Sequence, residues 1–263
     1  MTVAANLSML FTELPPLERF HAAKVAGFTE VEFLFPYDVG VDAIAEVLAR
    51  EALSMVLINA PAGNWIDGER GLLADPRQEE AFWSSLETGL AACVTLNCHK
   101  LHVLGGCHPL PDWDMITERL SHAADRAAEV GVTLLLEPLN TRDVPGYYLW
   151  HQDAAATLIR LVNRPNLKLQ MDLYHCQIME GDLMTKLGRH SDLIGHIQIA
   201  SVPQRGEPDL GEIRLEALWP LIEAIGCDVA LEYHPAGNTG LGLKRLAKVM
   251  PFLGLSPARI DAT

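Results

Sequence analysis

Four runs in the second half of the chain, VTLLLEP (132–138), LKLQMD (167–172), GHIQIA (195–200) and VALEY (229–233), each end on or near an oxygen-bearing side chain. Those side chains are Glu137, Asp172, Gln198 and Glu232. Every run is short, rich in Leu or β-branched residues, and followed by a helix-like segment. That is the pattern of parallel strands covered on both faces. Lying side by side, such strands bring the four oxygens together at one end of the sheet. Three carboxylates that close repel one another unless a cation sits among them. The arrangement predicts a divalent metal site and chemistry on a small oxygenated substrate.

The same alternation extends to the N-terminus. VAANLSML (3–10), TEVEFLF (29–35), LSMVLIN (53–59) and KLHVLGG (100–106) read as four earlier strands. Helices are predicted over 15–27, 41–52, 76–96, 112–131, 151–163, 181–190, 212–225 and 240–252, with Pro near the first start and Gly27 as its stop. Strict strand–helix alternation implies parallel strands joined by right-handed crossovers. Eight such repeats close into a (β/α)₈ TIM barrel, here one domain over residues 1–263. An open doubly wound sheet is disfavoured, because the first strand–helix turn, Ser8 to Pro16, lacks a glycine fingerprint for a dinucleotide. The longest break, NAPAGNWIDGERGLLADP (59–76), has the length of a functional loop.

Catalytic groups in such barrels sit at the C-terminal ends of strands. A single polar residue there is ordinarily solvated or caps the next helix. Four on consecutive strands favour a shared ion. Carboxylate and amide oxygens suit Mg²⁺ or Mn²⁺ better than Zn²⁺. A cation holding a carbonyl and the adjacent hydroxyl stabilises an enediolate as a proton leaves the neighbouring carbon. Glu137 and Glu232 are the candidates to remove and return that proton. His175 follows Asp172 by three positions and Arg205 follows the seventh strand by a short loop, so both overhang the mouth. Arg grips a carboxylate with two parallel hydrogen bonds. The plainer readings are a helix-start histidine and a solvated loop charge.

Composition narrows the classes. The net charge of −14 argues against nucleic acid or an anionic membrane as partner. An anionic substrate must then meet local positive charge. Five scattered cysteines suggest reduced thiols, and the first ten residues lack the basic start of a signal peptide. No apolar stretch approaches the roughly 20 residues of a membrane span. A cytoplasmic protein is expected; the sequence leaves a homo-oligomer open. Cys98, His99, His102, Cys107 and His108 cluster, but their spacing fits no common zinc pattern. His102 is expected to face the barrel interior and approach the substrate, and His196 to pack deeper.

The chain resembles the hydroxypyruvate isomerase family of xylose-isomerase-like barrels. The matching stretches are ANLSMLF (5–11), GFTEVEFLFPYD (27–38), NAPAGNWIDGERG (59–71), LLLEPLN (134–140), QMDLYHCQIMEGDL (170–183), GHIQIASVPQRGEPDLGEI (195–213) and LEYHP (231–235). The resemblance implies a metal-assisted aldose–ketose type isomerisation, hydroxypyruvate to and from tartronate semialdehyde. It implies Glu137, Asp172, Gln198 and Glu232 as metal ligands, Glu137 and Glu232 as the acid–base pair, and His175 and Arg205 as substrate contacts. Related sugar epimerases carry His where this chain has Gln198. Relatives with similar sites isomerise 2-oxo-tetronates, so the loops after the first three strands are expected to set pocket length. Trp65, Glu69 and Arg70 are candidate lid residues, with Phe35 and Tyr37 as walls. The competing readings are a 2-oxo-tetronate isomerase, a ketose epimerase, a non-catalytic sugar-acid binding protein and a barrel endonuclease, the last opposed by the acidic charge.

Overall fold

Eight parallel strands close on themselves in chain order, so the sheet has no edge. They are β1 (Val3–Asn6), β2 (Glu30–Glu32), β3 (Ser54–Asn59), β4 (Lys100–His102), β5 (Thr133–Leu136), β6 (Leu167–Asp172), β7 (Ile194–Ile199) and β8 (Asp228–Leu231). The computed structural model describes residues 2–256, and the expected span of 1–263 extends past them at both ends. Around the strands stand α1 (Glu18–Val25), α2 (Val41–Glu51), α3 (Glu79–Leu96), α4 (Trp113–Ala128), α5 (Gln152–Val162), α6 (Leu173–Met179), α7 (Leu183–His190), α8 (Leu215–Ile225) and α9 (Thr239–Val249). The expected (β/α)₈ barrel is therefore the observed architecture.

The main core lies between the outer face of the barrel and the helices. Leu134, Leu136, Leu169, Ile197 and Val229 point outward and join Leu120, Leu158, Leu187 and Ile222 in one buried cluster. The inner face is different. Because strand side chains alternate with period 2, Gln170 and Asp172 share the inside with His196 and Gln198, and register pairs Asp172 with Gln198 and Asn6 with Glu32. The lumens of such barrels are ordinarily filled by Val, Ile and Leu. Here one end is filled by buried polar side chains, Asn6, Glu32, Gln170, His196 and Gln198.

Element boundaries differ from expectation where side chains turn the chain. The first strand, expected over 3–10, stops at Asn6, whose carbonyl takes the N–H groups of Met9 and Leu10 and whose side chain takes that of Ser8. The segment between β6 and β7, expected as one helix, is two. Asp172 accepts from Tyr174 N at 2.8 Å and starts α6 directly at the strand end, while left-handed Gly181 and Asp182 separate it from α7. The fourth strand, expected to 106, ends at His102. Gly105 instead pairs with Gly71, tying the 59–76 loop to the β4–α4 loop.

Candidate active site

Glu137 lies one residue past β5, Asp172 ends β6, Gln198 is next to last in β7, and Glu232 follows β8. All four are buried at the same end of the barrel. Glu137, Glu232, His102, His175, Gln170 and Arg205 line one cavity of about 280 Å³. Ligand atoms of Glu137, Asp172 and His175 all lie within 4.8 Å of one another, a set that could hold a metal ion.

Arg205 lies across these acids. Its Nη2 donates to Glu232 Oε1 at 2.6 Å and to Asp172 Oδ2 at 3.1 Å, and its guanidinium stands 5.0 Å from the ring centre of Tyr174. Arg205 itself has φ +54°, and its carbonyl takes the N–H of His234 at 2.8 Å, fixing the loop above the β8 end. Burial opposes its charge, but Glu232, Asp172 and Glu137 outweigh that and hold the guanidinium protonated.

One guanidinium does not balance three carboxylates. Burial raises Glu137 well above its ordinary range, with the charges of Glu232 and Asp172 adding to the rise. Burial pushes Glu232 up to about 8 and Asp172 to about 6, in each case against the pull of Arg205. Oε1 of Glu137 is buried with no partner among the described residues. An orphaned carboxylate oxygen beside two further acids is what a hard divalent cation would satisfy, and the donor set fits one.

The Gln198 side chain is held between acids. Its amide nitrogen donates to Glu32 Oε2 at 3.0 Å and to Glu232 Oε2, and its oxygen accepts from Gln170 at 2.7 Å. The nitrogen rather than the oxygen thus faces Glu232. His175 is oriented by Asn140, whose backbone N–H donates to Nδ1 at 3.1 Å. The ring, kept neutral by burial and by Arg205, therefore carries its hydrogen on Nε2, 3.5 Å from Asp172 Oδ2. That tautomer presents a donor, not a lone pair, to the cavity. His102 lines the cavity too, with Nδ1 3.2 Å from Asn59 Oδ1 and 3.5 Å from Glu137 Oε2. Burial, with His196 nearby, takes it down to about 3, so it is neutral.

The remaining expectations divide. Trp65 and Phe35 line the cavity, their ring centres 5.7 Å apart. Tyr37 lies behind them in an adjoining depression and donates to the carbonyl of Asn59 at 2.6 Å. Glu69, a candidate lid residue, bonds to its own surroundings: its oxygens accept from Asn64 N and, at 2.7 Å, from Gln78. The cysteine–histidine run gathers into no ligand cluster among the described residues. Cys98 is buried, Cys107 is exposed and His108 bonds the carbonyl of Leu110.

Beneath the acids lies a layer that the strand-end pattern did not reveal. Asn6 Nδ2 donates to Glu32 Oε2 at 3.0 Å and to Glu232 Oε2 at 2.8 Å, and the other oxygen of Glu32 meets Nε2 of His196. His196, expected to pack deeper, lies buried against Glu32 at the base of this layer. The available signal was the alternation in TEVEF, which places Glu32 on the inner face.

A family model described as xylose isomerase-like TIM barrel matches residues 20–250. A 2-oxo-tetronate isomerase of Cupriavidus necator is 44% identical over 262 residues, 95% of this chain and 98% of that protein. A hydroxypyruvate isomerase of Escherichia coli is 39% identical over 252 residues, 92% of this chain and 96% of that protein. A crystal structure named as an AP endonuclease, family 2, from Brucella melitensis superposes with a TM-score of 0.90 at 44% identity, covering 94% of this chain and 99% of that one.

Proposed function

Because the chain belongs to the xylose isomerase-like TIM barrel family, we propose that it isomerises a short hydroxy-oxo acid, interconverting hydroxypyruvate and tartronate semialdehyde. The observation that carries this reading is the burial of Glu137, Asp172 and Glu232 at one end of the barrel, with Glu137 and Asp172 close enough to share an ion and Asp172 and Glu232 sharing Arg205.

Glu137 and Asp172 would hold a Mg²⁺ or Mn²⁺ ion, with Glu232 as a further carboxylate beside them; Gln198 would join only through its amide oxygen, which here accepts from Gln170. Such a cation would polarise the substrate carbonyl and acidify the neighbouring carbon. Glu137, with its free oxygen, takes the proton from one carbon of the reacting pair, and Glu232 delivers one to the other. In the substrate the hydroxyl oxygen loses its proton as the former carbonyl oxygen gains one, so carbonyl and hydroxyl exchange places and no oxidant is consumed. His175 Nε2–H and the Arg205 guanidinium donate to substrate oxygens and hold that pair of carbons between the two glutamates.

A second reading keeps the site and lengthens the substrate to a 2-oxo-tetronate. The 44% identity to the Cupriavidus protein, above the 39% to the Escherichia coli one, favours it. An endonuclease reading meets a net charge of −14, which opposes phosphate binding. The test is turnover of hydroxypyruvate and 2-oxo-tetronate with metal, with chelator, and in Glu137→Gln. Chelator-insensitive turnover, or full activity in the variant, would overturn the reading; the faster acid names the substrate.

A further inference from the structure

We infer that Arg70 is the anchor for the substrate's carboxylate, and so the residue that selects acids over neutral ketoses at this site. The inference rests on the isomerase reading above and adds the recognition of the non-reacting end.

The charges in the cavity demand such a partner. Glu137 and Glu232 line the cavity with Arg205, which also holds the buried Asp172, so one guanidinium and a divalent cation would together only offset these three carboxylates. Asp143 adds a negative charge to the wall, its Oδ2 accepting from Asn140 and Tyr174. Arg205, which donates to Glu232 and Asp172, serves the oxygens of the reacting carbons, so the far end of a substrate anion still needs a cation. Among the described residues that line the cavity, Arg70 is the remaining cation.

Arg70 is built to receive an anion. Its Nη1 donates to the carbonyls of Trp65 and Glu69, both at 2.9 Å, and its guanidinium carbon stands 4.0 Å from the Trp65 ring centre. Nε and Nη2 have no hydrogen-bond partner among the described residues. The planar group is therefore held on one side and open on the other, and few rotamers remain to be lost on binding. The backbone beside it is pinned as well. Gly71 N donates to Ala62 at 2.9 Å, Gly71 bridges Gly105, and a Cβ at 71 would meet the Leu104 carbonyl oxygen at 2.4 Å. The loop thus holds Arg70 in the wall of the cavity that Glu137 and Glu232 also line, where it can take the carboxylate end of a short acid whose reacting carbons lie between the two glutamates.

The test compares hydroxypyruvate with dihydroxyacetone, in which a hydroxymethyl group replaces the carboxylate, on Mn²⁺-loaded wild type, Arg70→Ala and Arg70→Lys. In parallel, calorimetry measures binding of D-glycerate, an acid that lacks the carbonyl, to the same three proteins. Losing a charge-assisted contact is expected to raise KM for hydroxypyruvate and Kd for D-glycerate by about 10- to 100-fold in Arg70→Ala. Arg70→Lys recovers part of the loss, and dihydroxyacetone parameters stay within about twofold. Unchanged D-glycerate binding, or an equal loss on the neutral ketose, overturns the inference. If wild type isomerises no acid, the functional reading fails, yet D-glycerate binding still decides the role of Arg70.

Discussion

Nη2 of Arg205 lies 2.6 Å from Oε1 of Glu232 and 3.1 Å from Oδ2 of Asp172, so the guanidinium supplies positive charge between two buried acids. The contact has two consequences of opposite sign. Arg205→Ala removes a donor to substrate oxygens and is expected to lower kcat/KM by about 100-fold or more. The same change removes a positive charge that repels a cation, so Mn²⁺ affinity at neutral pH is expected to hold or rise. Steady-state kinetics beside Mn²⁺ calorimetry checks both. Parallel loss of turnover and metal binding would show that Arg205 supports the metal set rather than the substrate.

The raised acids make stability and metal binding depend on pH. Burial lifts Glu232 from 4.5 to about 8 and Asp172 from 3.8 to about 6. A carboxyl raised by folding favours the folded state fully below its unfolded value, and that contribution is lost as pH rises through the folded value. The metal-free protein should therefore lose stability at this site between about pH 4 and 8. A cation prefers the ionised forms, so its stabilisation runs the other way. Thermal melts with and without Mn²⁺ should separate by more degrees at pH 8.5 than at pH 6; a constant separation contradicts the shifts.

Replacing Glu137 or Glu232 by Gln keeps shape and removes one of the crowded charges. Turnover is expected to fall by about 10³-fold or more in each variant, since proton transfer and cation binding both suffer. The metal-free Tm at pH 8 is expected to stay level or rise, because each parent acid is buried among like charges. A large Tm drop would point to a structural role for the carboxylate instead.

The barrel and the four strand-end oxygens were legible because each rests on local pattern. Short apolar runs such as LKLQMD mark strands, and the residue at their C-terminal end marks the mouth. Helix division was not legible, since Asp172 reads as a strand-end acid and its second role as the cap of α6 shows only in the hydrogen bond to Tyr174. Glu69 shows a similar limit. A loop carboxylate looks available until Asn64 and Gln78 are seen to occupy both oxygens. The layer beneath the site was hidden more deeply. Asn6 and Glu32 lie in the first two strands, and only closure of the barrel brings Asn6 beside Glu232, 226 positions later.

Gly71 is where the rim loop meets the β4–α4 loop. Its φ of +125° and the approach of the Leu104 carbonyl leave no room for a side chain. Gly71→Ala is expected to lower Tm by a few degrees, corresponding to about 1–3 kcal/mol of strain. It should also raise KM for acids by about 10-fold, because Trp65 and Arg70 lose their fixed base. Melting curves and KM values measured together check this. Lowered stability with an unchanged KM would mean that the loop holds its active form without the staple.

Asn6 joins two acids through one nitrogen: Nδ2 reaches Glu32 Oε2 at 3.0 Å and Glu232 Oε2 at 2.8 Å. With Gln198 bonding the same two oxygens, the orientation of Glu232 is set from below as Arg205 sets it from above. Partners of this kind cost about 10- to 100-fold in metal affinity or activity when removed. Asn6→Ala is therefore expected to weaken Mn²⁺ binding and kcat within that range, leaving KM for the acid nearly unchanged because Asn6 does not line the cavity. Asn6→Asp places a third carboxylate between Glu32 and Glu232 and should be worse than Ala above neutral pH. If Ala and Asp behave alike across pH, the bond to Glu232 does not orient it, and the polar layer serves packing alone.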